Sequence, residues 1–283
     1  MPDAFDYCED LVRGGDKDRF LATLFAPQKY RRALYALYAF NFEVARTREQ
    51  AREPMPGEIR LQWWRDVLDG LARGEVEANP VAAVLRDVVI RYRLPPRILA
   101  DLIEARSFDL YDDPMASVAA LEGYAVKTSS ALIDLAARVL CDGRDPDVSD
   151  LTSHAGAAYA IAGLLRALPI HASRGQLYLP VDLMRRYGAQ EADVFAGKAT
   201  AELRAVLAEL RLRARQHLDA ARERLVTAPV EIRPALLPVA LVRPVLERME
   251  RRGYEPFAPA DMPQWRRQWA LWRAARSGLR KTF

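Results

Sequence analysis

Apolar residues recur every three to four positions along almost the whole of this 283-residue chain, and no alternating run of useful length appears. A period near 3.6 puts apolar side chains on one helix face, whereas a half-buried strand needs a period of 2. The pattern therefore predicts an all-α fold. From Pro27 to Ala51, the residues Leu34, Leu37, Tyr38, Phe42 and Ala45 fall on one face of a long helix. Pro27 stands in its first turn, where a missing N–H is harmless. A second helix follows PMPGE, includes IRLQWWRDVLDGL (59–71) and is expected to stop at Arg73-Gly74. Further helices are predicted over 80–92, 95–109, 117–140, 148–168, 198–225, 232–251 and 263–278. Breakers such as LPP (94–96), DDP (112–114), DGRDP (142–146) and APV (228–230) separate them. With 51% hydrophobic residues, no internal repeat and no low-complexity linker, the expectation is one domain over residues 1–283. It would be a bundle of long helices around a central cavity.

Charge is distributed unevenly. The net charge is +4, but residues 261–283 hold six Arg and Lys against one Asp, so the rest of the chain is close to neutral. Nucleic-acid binding usually requires a basic stripe over the body of a domain, and that class is excluded as an expectation. Cys8 and Cys141 provide neither a disulfide framework nor a metal-binding CxxC, and are expected to be reduced thiols. The opening MPDAFDYCED is acidic and polar, which predicts neither a signal peptide nor a transit peptide. The most apolar stretch, LLPVALVRPVL (236–246), is interrupted by two prolines and an arginine. The chain is expected to be cytoplasmic, or peripheral on the inner face of the cytoplasmic membrane.

Common catalytic signatures are missing. There is no GxSxG, P-loop or GxGxxG, and His154, His171 and His217 lie far apart without metal-ligand spacing. One DxxxD pair, Asp109 and Asp113, runs into Pro114, which predicts a solvated turn for Asp112 and Asp113 rather than a Mg²⁺ site. Trp63-Trp64 reads as core packing. At the tail, Trp265, Trp269, Trp272, Leu279 and Phe283 are spaced as one helical stripe, with Arg266, Arg267, Arg273, Arg280 and Lys281 mainly off it. Such a basic, Trp-rich helix (263–278) either packs its tryptophans onto the bundle or rests on an anionic membrane surface.

The order of the remaining segments is informative. YAFNFEVARTRE, LQWWRDVLDG, LEGYAVKTSSALIDLAARVL and GLLRALPIHASRGQLYLP follow one another over about residues 17–255. In that order they resemble the squalene/phytoene synthase superfamily, all-α enzymes of the isoprenoid synthase type that join prenyl diphosphates head to head. The pattern LRxxxxxxxRGxxYLP, from Leu165 to Pro180, is its most specific element. The resemblance implies two acidic motifs that hold Mg²⁺ against the departing diphosphate. At the first, this chain has Asn41, Phe42, Ala45 and Glu49. At the second it has Gly163, Arg166, Ala167 and His171, with Pro169 disfavouring a continued helix.

FNFEVA, YAVKTSS, LRALPIHASR and the ending WALWRAARSGLRKTF further resemble a branch of that superfamily without the aspartates, the branch that includes a mitochondrial complex I assembly factor. The resemblance thus implies a non-catalytic protein that assists assembly of NADH:ubiquinone oxidoreductase, with no metal and no cofactor. Its partners would be respiratory complex I subunits or other assembly factors, and an isoprenoid-like lipid in the cavity. Arg166, Arg174, Tyr178 and Glu49 are the residues expected to line a ligand site, and Ala45 and Ala167 are expected to point into the cavity. The alternatives are an active prenyltransferase, with Mg²⁺ held by Glu49, Asp109 and Asp112, or an isoprenoid or quinone carrier.

Overall fold

The computed structural model describes residues 3–51, 53–72, 76–258 and 262–283, with the backbone alone at Arg280. Every regular element among them is helical. The chain folds into two compact units. The first comprises Met1–Tyr111, Ala131–Ser149 and Thr227–Pro238, and the second Asp112–Ser130, Asp150–Val226 and Val239–Phe283.

The axis of the first unit is the helix Gln28–Ala45. Every residue from Ala33 to Asn41 is buried, at most 7% exposed. The helix is therefore enclosed on all sides, where the spacing suggested one apolar face. Ala33, Ala36 and Ala39 let neighbours approach closely, and the Phe40 ring meets Trp64 edge-on at 5.2 Å. Trp64 is fully buried and Trp63 half-buried against it, so the pair belongs to the core. Helices Ala4–Gly15, Pro80–Arg91 and Ala131–Leu140 pack around this axis.

Two aspartates explain the N-terminal helices, for which the periodicity predicted no element. Asp3 accepts from the Phe5 N–H at 3.3 Å, and Asp16 accepts from the Arg19 N–H at 3.1 Å. Each satisfies an orphan donor at a helix start. The helix Pro54–Asp69 ends where Gly70 takes a φ of +72°, a left-handed conformation that glycine adopts without strain. It stops short of Arg73-Gly74, which lie outside the described residues.

In the second unit the principal helices are Ser149–Arg166 and Ala201–Arg224, the latter capped by the Thr200 hydroxyl, which accepts from the Leu203 N–H at 3.2 Å. The expected helix 117–140 is interrupted. Its first part, Val118–Ala125, passes into a π-turn, Val126–Ser130, before Ala131–Leu140 begins. The turn lies against small residues of Ser149–Arg166. The Ser130 hydroxyl donates to the Ser153 carbonyl at 2.9 Å, and a Cβ on Gly156 would overlap Ser130 N, Cα and Oγ. The expected helix 232–251 is also broken, into Arg233–Leu236, a 3-10 turn Leu237–Leu241 containing Pro238, and Val242–Met249.

The tail differs from the single stripe its spacing suggested. Helix Gln264–Ser277 ends at Gly278, whose φ is +83°, so Leu279 and Phe283 are not on it. Those two are buried, as are Leu271 and Ala274 of the helix, while Trp265, Trp269 and Trp272 are 63%, 57% and 41% exposed. The tail is anchored by aliphatic residues and Phe283, with the three tryptophans outward. No helix among the described residues is long and apolar enough to cross a membrane.

Candidate functional site

Ala45 is the last residue of its helix. At Arg46 (φ −94°, ψ 6°) the helix breaks and resumes as the turn Thr47–Gln50, so the expected continuous helix to Ala51 does not form. Neither proline nor glycine causes this. The buried Thr47 hydroxyl donates back to the Glu43 carbonyl at 3.4 Å, a contact that bends helices. Arg46 then donates from Nε to Glu49 at 2.9 Å and lies 4.9 Å over the Phe42 ring. Phe42 in turn fills the space over Gly15, where a Cβ would overlap the ring. The polar and aromatic groups at this motif are thus engaged with one another.

The second motif also straddles a break. Ser149–Arg166 ends, Ala167 adopts φ −86° and ψ 1°, and the short helix Leu168–Ser173 begins with Pro169 in its first turn. A continued helix would lack the Pro169 donor to Leu165 and would press the ring on that carbonyl. Arg166 is half-buried and Arg174 exposed. At Gly175 a φ of +71° reverses the chain, and the Gln176 N–H returns to the His171 carbonyl at 2.9 Å. This gives the RG of the sequence pattern a conformational reason. The following strand-like stretch is held by Met115, whose N–H donates to Leu177 and whose carbonyl accepts from Val181. Tyr178 is thereby set 4.5 Å from His171 and 6.1 Å from Tyr124, measured between ring centroids. Leu121, Ile161, Leu168 and Leu210 complete a small apolar pocket beside these rings, with about 10 Å³ of open space. That holds about one water molecule, not an isoprenoid chain.

The structure therefore brings His171 and Tyr178 together, with Arg166, Ala167 and Arg174 on the same segment. Mg²⁺ requires several hard oxygen ligands. At neither motif do these residues supply such ligands: Ala45 and Ala167 have no donor atom, Glu49 is held by Arg46, and His171 offers nitrogen. Asp109 stands at the end of the expected helix 95–109, which is α-helical only over Pro96–Arg106. It is buried in the 3-10 turn Ser107–Leu110 and accepts from Arg106 at 3.1 Å, whereas Asp112 and Asp113 are exposed.

One arrangement was hidden by sequence distance. His154 and His217, far apart in the sequence, meet Nδ1 to Nδ1 at 2.9 Å, and His217 Nε2 lies 3.5 Å from Glu122. Arg213, itself also paired with Glu209, contacts the same Glu122 oxygen at 3.3 Å, and Arg224 reaches Asp150 at 3.5 Å. A hydrogen bond between two imidazoles needs one nitrogen to keep its lone pair, so at least one of the two rings is neutral. Burial, then Arg224 and His217, hold the His154 pKa below its ordinary 6.5. The unfolded chain thus binds this proton more readily, so the contribution to stability is full above about pH 6.5 and lost as pH falls through the depressed folded value. His154→Gln is expected to flatten the loss of stability between neutral and mildly acidic pH in denaturant titrations. An unchanged slope would contradict this assignment.

Residues 12–273 match the family model for squalene/phytoene synthase. Complex I assembly factor 6 of Rattus norvegicus is 32% identical over 92% of this chain and 78% of its own length. Phytoene synthase of Arthrospira platensis is 25% identical over 95% and 91%. Among solved structures, a dehydrosqualene synthase crystallised with a ligand superposes with a TM-score of 0.83 at 19% identity, covering 98% of this chain and 97% of that one. The whole-chain similarity and the helical architecture agree: the protein has the isoprenoid synthase fold and belongs to the squalene/phytoene synthase family.

Proposed function

We propose that this chain is a synthase-fold protein that no longer transfers prenyl groups and instead assists the assembly of complex I, NADH:ubiquinone oxidoreductase. The observation that carries this reading is the chemistry at the two motifs. Ala45 and Ala167 lack donors, Glu49 is engaged by Arg46, and His171 is packed on Tyr178. A departing diphosphate would meet no set of oxygens able to hold its metal ions. The similarity to assembly factor 6 supports the same reading, since identity there is 32% against 25% for the phytoene synthase. The partners would be complex I subunits or other assembly factors, with no cofactor.

The phytoene synthase similarity also favours one alternative, an active prenyltransferase using Glu49, Asp109 and Asp112. Two of those three carboxylates are already bound by Arg46 and Arg106. Deleting the gene in its own cell separates the two readings. The expected result is a severalfold loss of assembled complex I on native gels and of NADH:ubiquinone oxidoreductase activity in membranes, with isoprenoid products unchanged. Normal complex I together with a missing C30 or C40 product would contradict the proposal.

A further inference from the structure

We infer that the groove between helices Val242–Met249 and Gln264–Ser277 is a docking site for the phosphate headgroups of an anionic phospholipid bilayer. The groove holds about 580 Å³ of open space. Arg243, Arg248 and Arg251 line one side, and Arg266, Arg273 and Lys281 the other. The single acid among the described lining residues, Glu247, is bonded by Arg243 at 3.0 Å. No acidic residue occurs from Gln264 to the end of the sequence at Phe283. Six cations against one carboxylate form a strongly positive depression, and its complement is a surface dense in phosphate.

The aromatic residues decide between a bilayer and a freely diffusing phosphate. Trp265 and Trp269 lie on the same groove and Trp272 one turn further along the helix, all exposed, with Trp269 and Trp272 stacked at 5.0 Å between ring centroids. Arg266 lies 5.1 Å over the Trp265 ring and Arg276 5.0 Å over that of Trp272. A soluble anion has no use for three exposed indoles. At a membrane, indoles settle at the headgroup level while guanidinium groups bind the phosphates beside them. The inward anchors Leu271, Ala274, Leu279 and Phe283 hold the helix on its unit, so the site is presented by packed structure.

The inference is independent of the proposed role in complex I assembly, and its test reads binding alone. The full chain is floated with phosphatidylcholine vesicles and with vesicles that also contain phosphatidylglycerol. It is expected to bind the anionic vesicles only, and to be released by added salt. Arg266→Glu with Arg273→Glu should weaken binding about thirtyfold or more, taking about 1 kcal/mol per basic residue at the surface. Arg185→Glu with Arg186→Glu, an exposed basic pair on another helix, should leave most of it. Unaltered melting of each variant excludes unfolding as the cause. Failure to bind anionic vesicles, equal binding to neutral ones, or equal losses in the two charge-reversal pairs would overturn the inference. So would displacement by inorganic phosphate at constant ionic strength, which would assign the groove to a soluble anion.

Discussion

Gly156→Val is expected to destabilise the protein by about 3 kcal/mol and to lower its melting temperature by about 6 to 12 °C. A Cβ at this position overlaps the nitrogen, Cα and hydroxyl oxygen of Ser130, and two of those atoms are backbone. Backbone cannot rotate aside as a flexible side chain does, so the π-turn Val126–Ser130 would have to withdraw from the helix. The Ser130 to Ser153 hydrogen bond and the Ala125, Ala157, Ala160 contact would go with it. Gly163, two turns further along the same helix, supplies the control. Nothing lies within 4 Å of a Cβ built there, so Gly163→Ala should stabilise by about 0.5 to 1 kcal/mol. Thermal melts of the two variants should therefore move in opposite directions. Equal shifts would contradict the close approach described for Gly156.

The same two glycines illustrate what the sequence made legible. The helical class follows from periodicity, and most boundaries follow from local chemistry. Pro80 and Pro96 lie in first turns, and Asn79 accepts from the Val81 and Ala82 N–H groups at 3.0 Å, whereas Gly70 closes its helix ahead of the Arg73-Gly74 stop that the sequence suggested. Two of the unexpected interruptions have no such signal. The break at Arg46 and the π-turn at Val126–Ser130 contain neither glycine nor proline. Both depend on packing, the second on how near Ser130 comes to Gly156. The tail was misread for a different reason. Spacing places Trp265 and Phe283 on one stripe, but that argument assumes an unbroken helix, and Gly278 ends it.

At the site, sequence reasoning names motif positions but not their surroundings. That Glu49 is held by Arg46, and that Phe42 covers Gly15, depends on the bend after Ala45. The His154 and His217 pair is invisible to any short motif, since 63 residues separate its members. Pro169 was the exception. Its effect on the backbone is local, and the helix expected over 148–168 does end beside it, at Arg166.

The central claim is that this family member has lost prenyl transfer. That proposal rests on Ala45 and Ala167, which offer no oxygen, and on Glu49, which is held by Arg46. If the missing groups supplied about 6 kcal/mol of transition-state stabilisation, the rate falls by about 10⁴. Ala45→Asp, Glu49→Asp, Ala167→Asp and His171→Asp together should bind Mg²⁺ more tightly than the unaltered chain in titration calorimetry. The most direct measurement uses the unaltered protein. Pure protein is incubated with Mg²⁺ and farnesyl or geranylgeranyl diphosphate, and pyrophosphate and C30 or C40 products are followed together. The account predicts neither above the protein-free control; steady release of pyrophosphate with formation of a C30 or C40 hydrocarbon would contradict it.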